Sequence, residues 1–270
     1  MIHISRSSPV ESDLVAVAFG EQPGRWPLPA AATPHQRWLR AVAAAGQGRY
    51  GSAYADLAIL MRAEPSGRLA SLAHSTQASF LRQLGWHSLA RGWDGRALAL
   101  AGGDPEAAAD ALTGLAADAL GVGRLAAAAT LLGRAEPLVA QAPHRLAIRK
   151  AWVAAELAMA RGQGAVAVRN AELAVELVAT TLGGATRHRA KSDVVLAAAL
   201  CSNGALDRAR TVADAALELT GQLRLLPLRW AVAGLLVDLA GAGNSAGELR
   251  GIRDDCARRV ERWGGAWRRP

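Results

Sequence analysis

A chain of 270 residues that is 51% hydrophobic but only 4% aromatic has ample apolar material, and it must build its core from Ala, Leu and Val, which suits closely packed helices better than a β-sandwich. Two cysteines, Cys201 and Cys256, in no CxxC and near no histidine, exclude a disulfide framework and make a reducing cytoplasm the expected location. The formal charge of +8 permits an acidic partner without demanding one, no apolar run reaches bilayer length, and Glu11 and Asp13 interrupt the start before a signal-peptide core can form.

In chain order, residues 1–33 form an N-terminal arm. Its first 20 residues hold a short strand or helix, and the four prolines of EQPGRWPLPAAATP predict a linker or an extended arm lying on the helical body. From residue 34 to 262 the chain reads as Ala/Leu-rich segments at helical spacing, joined by short turns that force neighbours antiparallel. The first hairpin runs from about Pro34 to Glu64, the second from Leu69 to Ala101. Asp104 caps the third, with Pro105 at its first helical position, and that hairpin ends near Ala142. The fourth spans Pro143 to Leu182, where Gly183 and Gly184 stop it, the fifth Ala185 to Thr220 and the sixth Leu223 to about Arg262. Residues 263–270 remain as a basic, Trp-containing tail.

Small residues recur at fixed offsets around the turn of each hairpin. Gly123 has Ala116 seven before, Ala128 five after and Ala135 twelve after; Gly48 has Ala41, Ala53 and Leu60. The same frame places Ala78, Ala90 and Ala97 around Gly85, Ala155, Ala167 and Ala174 around Gly162, and Ala197, Ala209 and Ala216 around Gly204. It continues on Gly241 with Gly234 and Ala246, and breaks at Arg253. Steps of 37 to 42 residues between the turn glycines mean stacked supersecondary units, each of which needs its neighbours to cover its apolar faces.

This frame resembles the tetratricopeptide repeat, most fully in the first unit, where Ala41, Gly48, Tyr50, Ala53 and Pro65 all fall on the family's marked positions, and again at Trp230 in the last. Most units lack the aromatics, and the period exceeds the family's, which implies longer helices. The resemblance implies an all-α, right-handed solenoid of about six antiparallel helical hairpins that serves as a binding scaffold, with one face of each first helix lining a concave groove.

Placed in the frame, Arg68, Arg145, Arg187 and Arg224 all lie seventeen residues before a turn glycine, and Arg149 and Lys191 follow one helical turn on. Cations at helix N-termini oppose the macrodipole, so their register asks for an acidic or phosphorylated ligand. Arg145, Arg149, Arg187, Lys191 and Arg224, with the inward-facing Trp152, are therefore the candidate partner-binding stripe, expected to be largely free of internal carboxylate partners. The family's carboxylate clamp pairs such cations with Asn, whereas this chain has Trp152, Glu156, Val194 and Ala198 at the inward positions. Trp263 and Trp267, among the tail's arginines, are a second partner-binding candidate, with folding back to cap the last repeat as the competing expectation.

No catalytic, cofactor or metal motif emerges. The six histidines are scattered singly and read as surface or capping groups, and the GxGxxA-like run at Arg161–Val168 follows a helix where a dinucleotide loop needs a strand. The expected function is a non-catalytic scaffold for an acidic protein or peptide. The alternative is a nucleic-acid-associated or transcription-regulatory protein using its basic C-terminal surface.

Overall fold

In the computed structural model, which describes residues 8–181, 184–240 and 245–268, thirteen α-helices account for the regular structure and the described residues contain no strand. Helix α1 (Pro9–Ala18) starts on a Ser8 cap with Glu11 in its first turn. Twelve helices then pair as hairpins: α2 (Pro34–Gly46) with α3 (Tyr50–Ala63), α4 (Gly67–Gln83) with α5 (His87–Leu100), α6 (Pro105–Gly121) with α7 (Leu125–Val139), α8 (Arg145–Ala160) with α9 (Gly164–Thr181), α10 (Thr186–Ser202) with α11 (Leu206–Gln222), and α12 (Leu226–Ala240) with α13 (Ser245–Arg262). None is long and apolar enough to cross a membrane. The fold is an all-α solenoid of antiparallel helical hairpins.

The sequence frame marks real constraints. Gly48, Gly85, Gly123, Gly162 and Gly204 all have φ between 68 and 90°, and the amide of the residue after each of these glycines reaches five residues back, as in Arg49 N to Ala44 O and Trp86 N to Leu81 O at 2.9 Å. This is the left-handed helix-ending turn that glycine enters without steric cost. Gly241 lies outside the described residues. The link from α11 to α12 repeats the motif with Arg224 in the glycine place at φ 55°, closed by Leu225 N to Thr220 O at 2.9 Å. The framed alanines, from Ala41 to Ala216, are all 0–1% exposed, because the paired helices cross there too closely for a larger side chain. A capping box of Thr33 and Gln36 begins α2, and Asp104 with Pro105 begins α6 as the sequence requires.

The solenoid returns on itself. Trp38, Leu39, Tyr50 and Leu57 of the first hairpin share one apolar cluster with Leu226, Cys256 and Val260 of the last. The Pro-rich arm lies in the seam, where the Gln47 side chain donates to Pro23 O and Arg25 O at 2.9 and 3.0 Å. The tail bridges the same seam: Gly51 N donates to Trp263 O at 2.7 Å, Arg268 N to Leu84 O at 2.8 Å, and Trp86 Nε1 to Ala266 O at 2.7 Å. The basic tail thus caps the last hairpin and also ties it to the first two.

Candidate functional site

Closure narrows the expected groove to a partly open central cavity of about 380 Å³ to which each of the six first helices contributes: α2, α4, α6, α8, α10 and α12. Trp38, Phe80, Leu120, Val153 and Leu228 supply apolar wall, and Phe19, just past the end of α1, closes one side. Five cations face it, Arg82, Arg145, Arg149, Arg187 and Lys191, against the lining carboxylates Asp110 and Glu156.

Four of the five cations have carboxylate partners. Arg145, 9% exposed, pairs with Glu106, which also takes Arg68, and its guanidinium sits 5.4 and 5.5 Å from the Phe19 and Trp38 rings. Arg149 pairs with Asp110, and Lys191 Nζ lies 3.2 Å from Glu156. Arg82 Nη1 holds two carboxylates, Asp94 at 2.9 Å and Asp118 at 2.5 Å. This corrects the expectation that the stripe is largely free of internal partners: most of its carboxylates come from the first helix one repeat earlier, so the register that aligns the cations also aligns their anions. Arg187 alone keeps no carboxylate among the described residues. Its one protein acceptor is Val42 O, 3.2 Å from Nη1, reached where Gly46 leaves room for the guanidinium.

Burial and like charge set the titration of the site. Burial first, then Arg82, lowers the Arg149 guanidinium to about 10, Asp94 opposing and Arg187 adding. Burial, followed by Arg187, Arg145 and Arg149, drives His188 down to about 3, so its imidazole is neutral at physiological pH. His188 is 6% exposed, stacks on Trp152 at 5.6 Å, and leaves Nδ1 without a hydrogen-bond partner. Burial lifts Asp94 to about 7, helped by Asp118 and opposed by Arg82.

Of the sequence candidates, Arg145, Arg149, Trp152, Arg187 and Lys191 meet at this cavity. Arg224 does not. It sits in the turn before α12 and lines a separate depression with Arg229, Glu248 and Arg259, because α12 begins two residues later than the repeat register requires. Trp263 and Trp267 pack within the chain: Arg49 lies 4.0 Å over the Trp263 ring, and Trp267 stacks on Trp230 at 4.4 Å.

No protein-family model and no curated protein matches this chain. Among solved structures it is similar to the nearly identical TPR-like repeats of a kinesin light chain from Podosopora anserina, at 22% identity with a TM-score of 0.46, over 70% of this chain and 96% of that one. It is similar to a point-substituted form of the same protein at 21% identity with a TM-score of 0.44, over 71% and 92%. The chain's own glycine turns, buried alanines and antiparallel pairs make its architecture tetratricopeptide-like.

Two of the residues that matter most at the cavity escape a reading of the sequence. As one of six scattered histidines, His188 reads as a surface or capping group, and no motif marks Arg82. His188 stands sixteen residues before Gly204, where three of the other five repeats carry the buried Ala107, Leu146 and Leu225. A polar group on a core position of the frame is the available signal. No cluster able to hold a metal ion occurs among the described residues.

Proposed function

We propose that this chain is a non-catalytic interaction protein that recognises a partner of acidic character through its central cavity. The observation that supports this is Arg187, which lines the cavity with no carboxylate partner among the described residues and stands beside the paired Arg145, Arg149 and Lys191, where partial burial strengthens its contact with an anion relative to bulk water. A volume of about 380 Å³ is at the small end of ligand sites, which suits a short acidic segment or side chain of a protein or peptide partner.

The test is fluorescence anisotropy with a labelled Glu-rich peptide and its Gln-rich counterpart. Wild-type protein is expected to bind the acidic peptide saturably, with affinity falling as salt rises, and to ignore the neutral one. Arg187→Glu combined with Lys191→Glu should abolish binding and leave the helical signal unchanged, since Arg187 holds one backbone carbonyl and Lys191 a half-exposed pair. Undiminished binding by that double variant would remove the cavity from the proposal.

A further inference from the structure

The cavity is not uniformly cationic. Pairing its charges group by group leaves one uncompensated guanidinium, that of Arg187. Arg145, Arg149, Lys191 and Arg82 are each within ion-pair distance of at least one carboxylate. Of the five N–H donors of a guanidinium, Arg187 uses one, on Val42 O. A half-buried cation without a counter-ion among the described residues has lost part of its hydration without an ion pair in return, and this one lines an accessible space.

Next to it in sequence, the buried His188 ring backs the guanidinium with its Nδ1 turned away from accessible space. Its ring is fixed between Trp152, stacked at 5.6 Å, and Phe19, tilted at 6.1 Å, and Nδ1 has no partner. Burial, with Arg145 adding, holds the Arg187 guanidinium below its ordinary value, and only the Tyr50 phenol pulls the other way. The rest of the wall is mixed: Trp38, Phe80, Trp152 and Val153 are apolar, whereas Ser75, Thr76, Ser79 and Gln83 are neutral and polar. A ligand that answers Arg187 carries one negative charge at one end, offers a planar pair of acceptors to the guanidinium fork, and sets an apolar body against the aromatic part of the wall.

We propose that the cavity is a binding site for a small organic monocarboxylate, with Arg187 as the anchor of the carboxylate and the rings of Phe19, Trp38, Phe80 and Trp152 contacting an apolar body. The inference rests on the cavity being the ligand site, and it narrows the ligand from an acidic partner to a small organic acid. The charge balance argues against phosphate. One unpaired guanidinium compensates one charge, and a second would have to be matched by breaking an existing ion pair.

The experiment is isothermal titration calorimetry with 3-phenylpropionate, 3-phenylpropionamide and inorganic phosphate, on wild type, Arg187→Gln, Arg187→Lys and Arg224→Gln. The expected result is saturable binding of the carboxylate, none of the amide or phosphate, and a loss of about tenfold or more in Arg187→Gln. Arg187→Lys should recover part of the affinity, since it restores charge but not the fork, and Arg224→Gln, outside the cavity, should bind like wild type. Equal binding of amide and carboxylate, preferred binding of phosphate, or undiminished binding by Arg187→Gln would overturn the proposal. If the small acid fails while the Glu-rich peptide still binds, the monocarboxylate inference falls and the acidic-partner reading stands. If both ligands fail, both readings fall. Far-UV circular dichroism of each variant checks that a lost signal is not lost folding.

Discussion

Gly114 offers the sharpest test of the buried charge cluster behind the cavity. It lies inside α6, and a Cβ placed there would run into Asp94, with Oδ1 2.6 Å away and Oδ2 closer still. Asp94 is 0% exposed and is held at 2.9 Å by Arg82, so it has nowhere to move without breaking that contact. Gly133, in α7, has nothing within 4 Å of the same virtual atom. Replacing a mid-helix glycine by alanine gains about 0.5–1 kcal/mol in backbone terms, and Gly133→Ala should show that gain. Gly114→Ala has the same backbone gain against the loss of a buried ion pair, worth about 3–5 kcal/mol, leaving a net destabilisation of about 2–4 kcal/mol. Urea denaturation followed by circular dichroism measures both variants, with an unchanged slope confirming that the midpoint reports stability. If Gly114→Ala unfolds at the same or a higher urea concentration than wild type, the Asp94–Arg82 contact is not as described.

Three further outcomes are expected. Arg224→Gly should stabilise by about 1 kcal/mol, because the side chain occupies a left-handed position at φ 55° that glycine enters freely; a destabilised variant would mean that the Arg224 side chain holds the fold by more than its turn. Asp94 and Asp118 face one guanidinium, and burial lifts both, Asp94 to about 7. The folded state therefore binds more protons than the unfolded one between roughly pH 4 and 7, and the pair's contribution to stability falls as pH rises through that window. Asp118→Asn should gain stability relative to wild type as pH goes from 5 to 8, and a constant difference in urea midpoint across that range would mean that the buried carboxylates do not take up protons in that window. Trp267→Ala should cost about 2 kcal/mol through loss of the stack on Trp230, seen as a lower melting temperature, whereas an unchanged melting curve would mean that the tail does not hold the seam.

The fold was legible because it is written in the smallest residues. An alanine at each helix crossing and a glycine at each turn leave little freedom, and neither signal depends on what the protein binds. Closure of the solenoid was not legible. It depends on contacts such as Gly51 N to Trp263 O and Gly48 against Val260, between residues some 200 positions apart that share no period. In the sequence the arginines around the tail's tryptophans point to charge, whereas in the structure the tryptophan rings pack at the seam.

At the site, the frame located the cations and misjudged their freedom for one reason. A repeat that brings Arg145 and Arg149 onto one surface also brings whatever lies 39 residues earlier onto the neighbouring helix, and those residues are Glu106 and Asp110. Adding the charges of adjacent repeats in register, instead of collecting cations alone, cancels those two pairs and the Lys191–Glu156 pair. The same register exposes the polar intruders: Asp94 stands where other repeats carry Leu57, Leu132 and Ala171, and Asp118 where they carry Phe80 and Leu157, all buried. What survives the cancellation is Arg187, and beside it His188 on a core position. In a closed array of repeats, a cation matched by the neighbouring unit mainly supports the fold, and an unmatched one facing the cavity is the group left to meet a ligand.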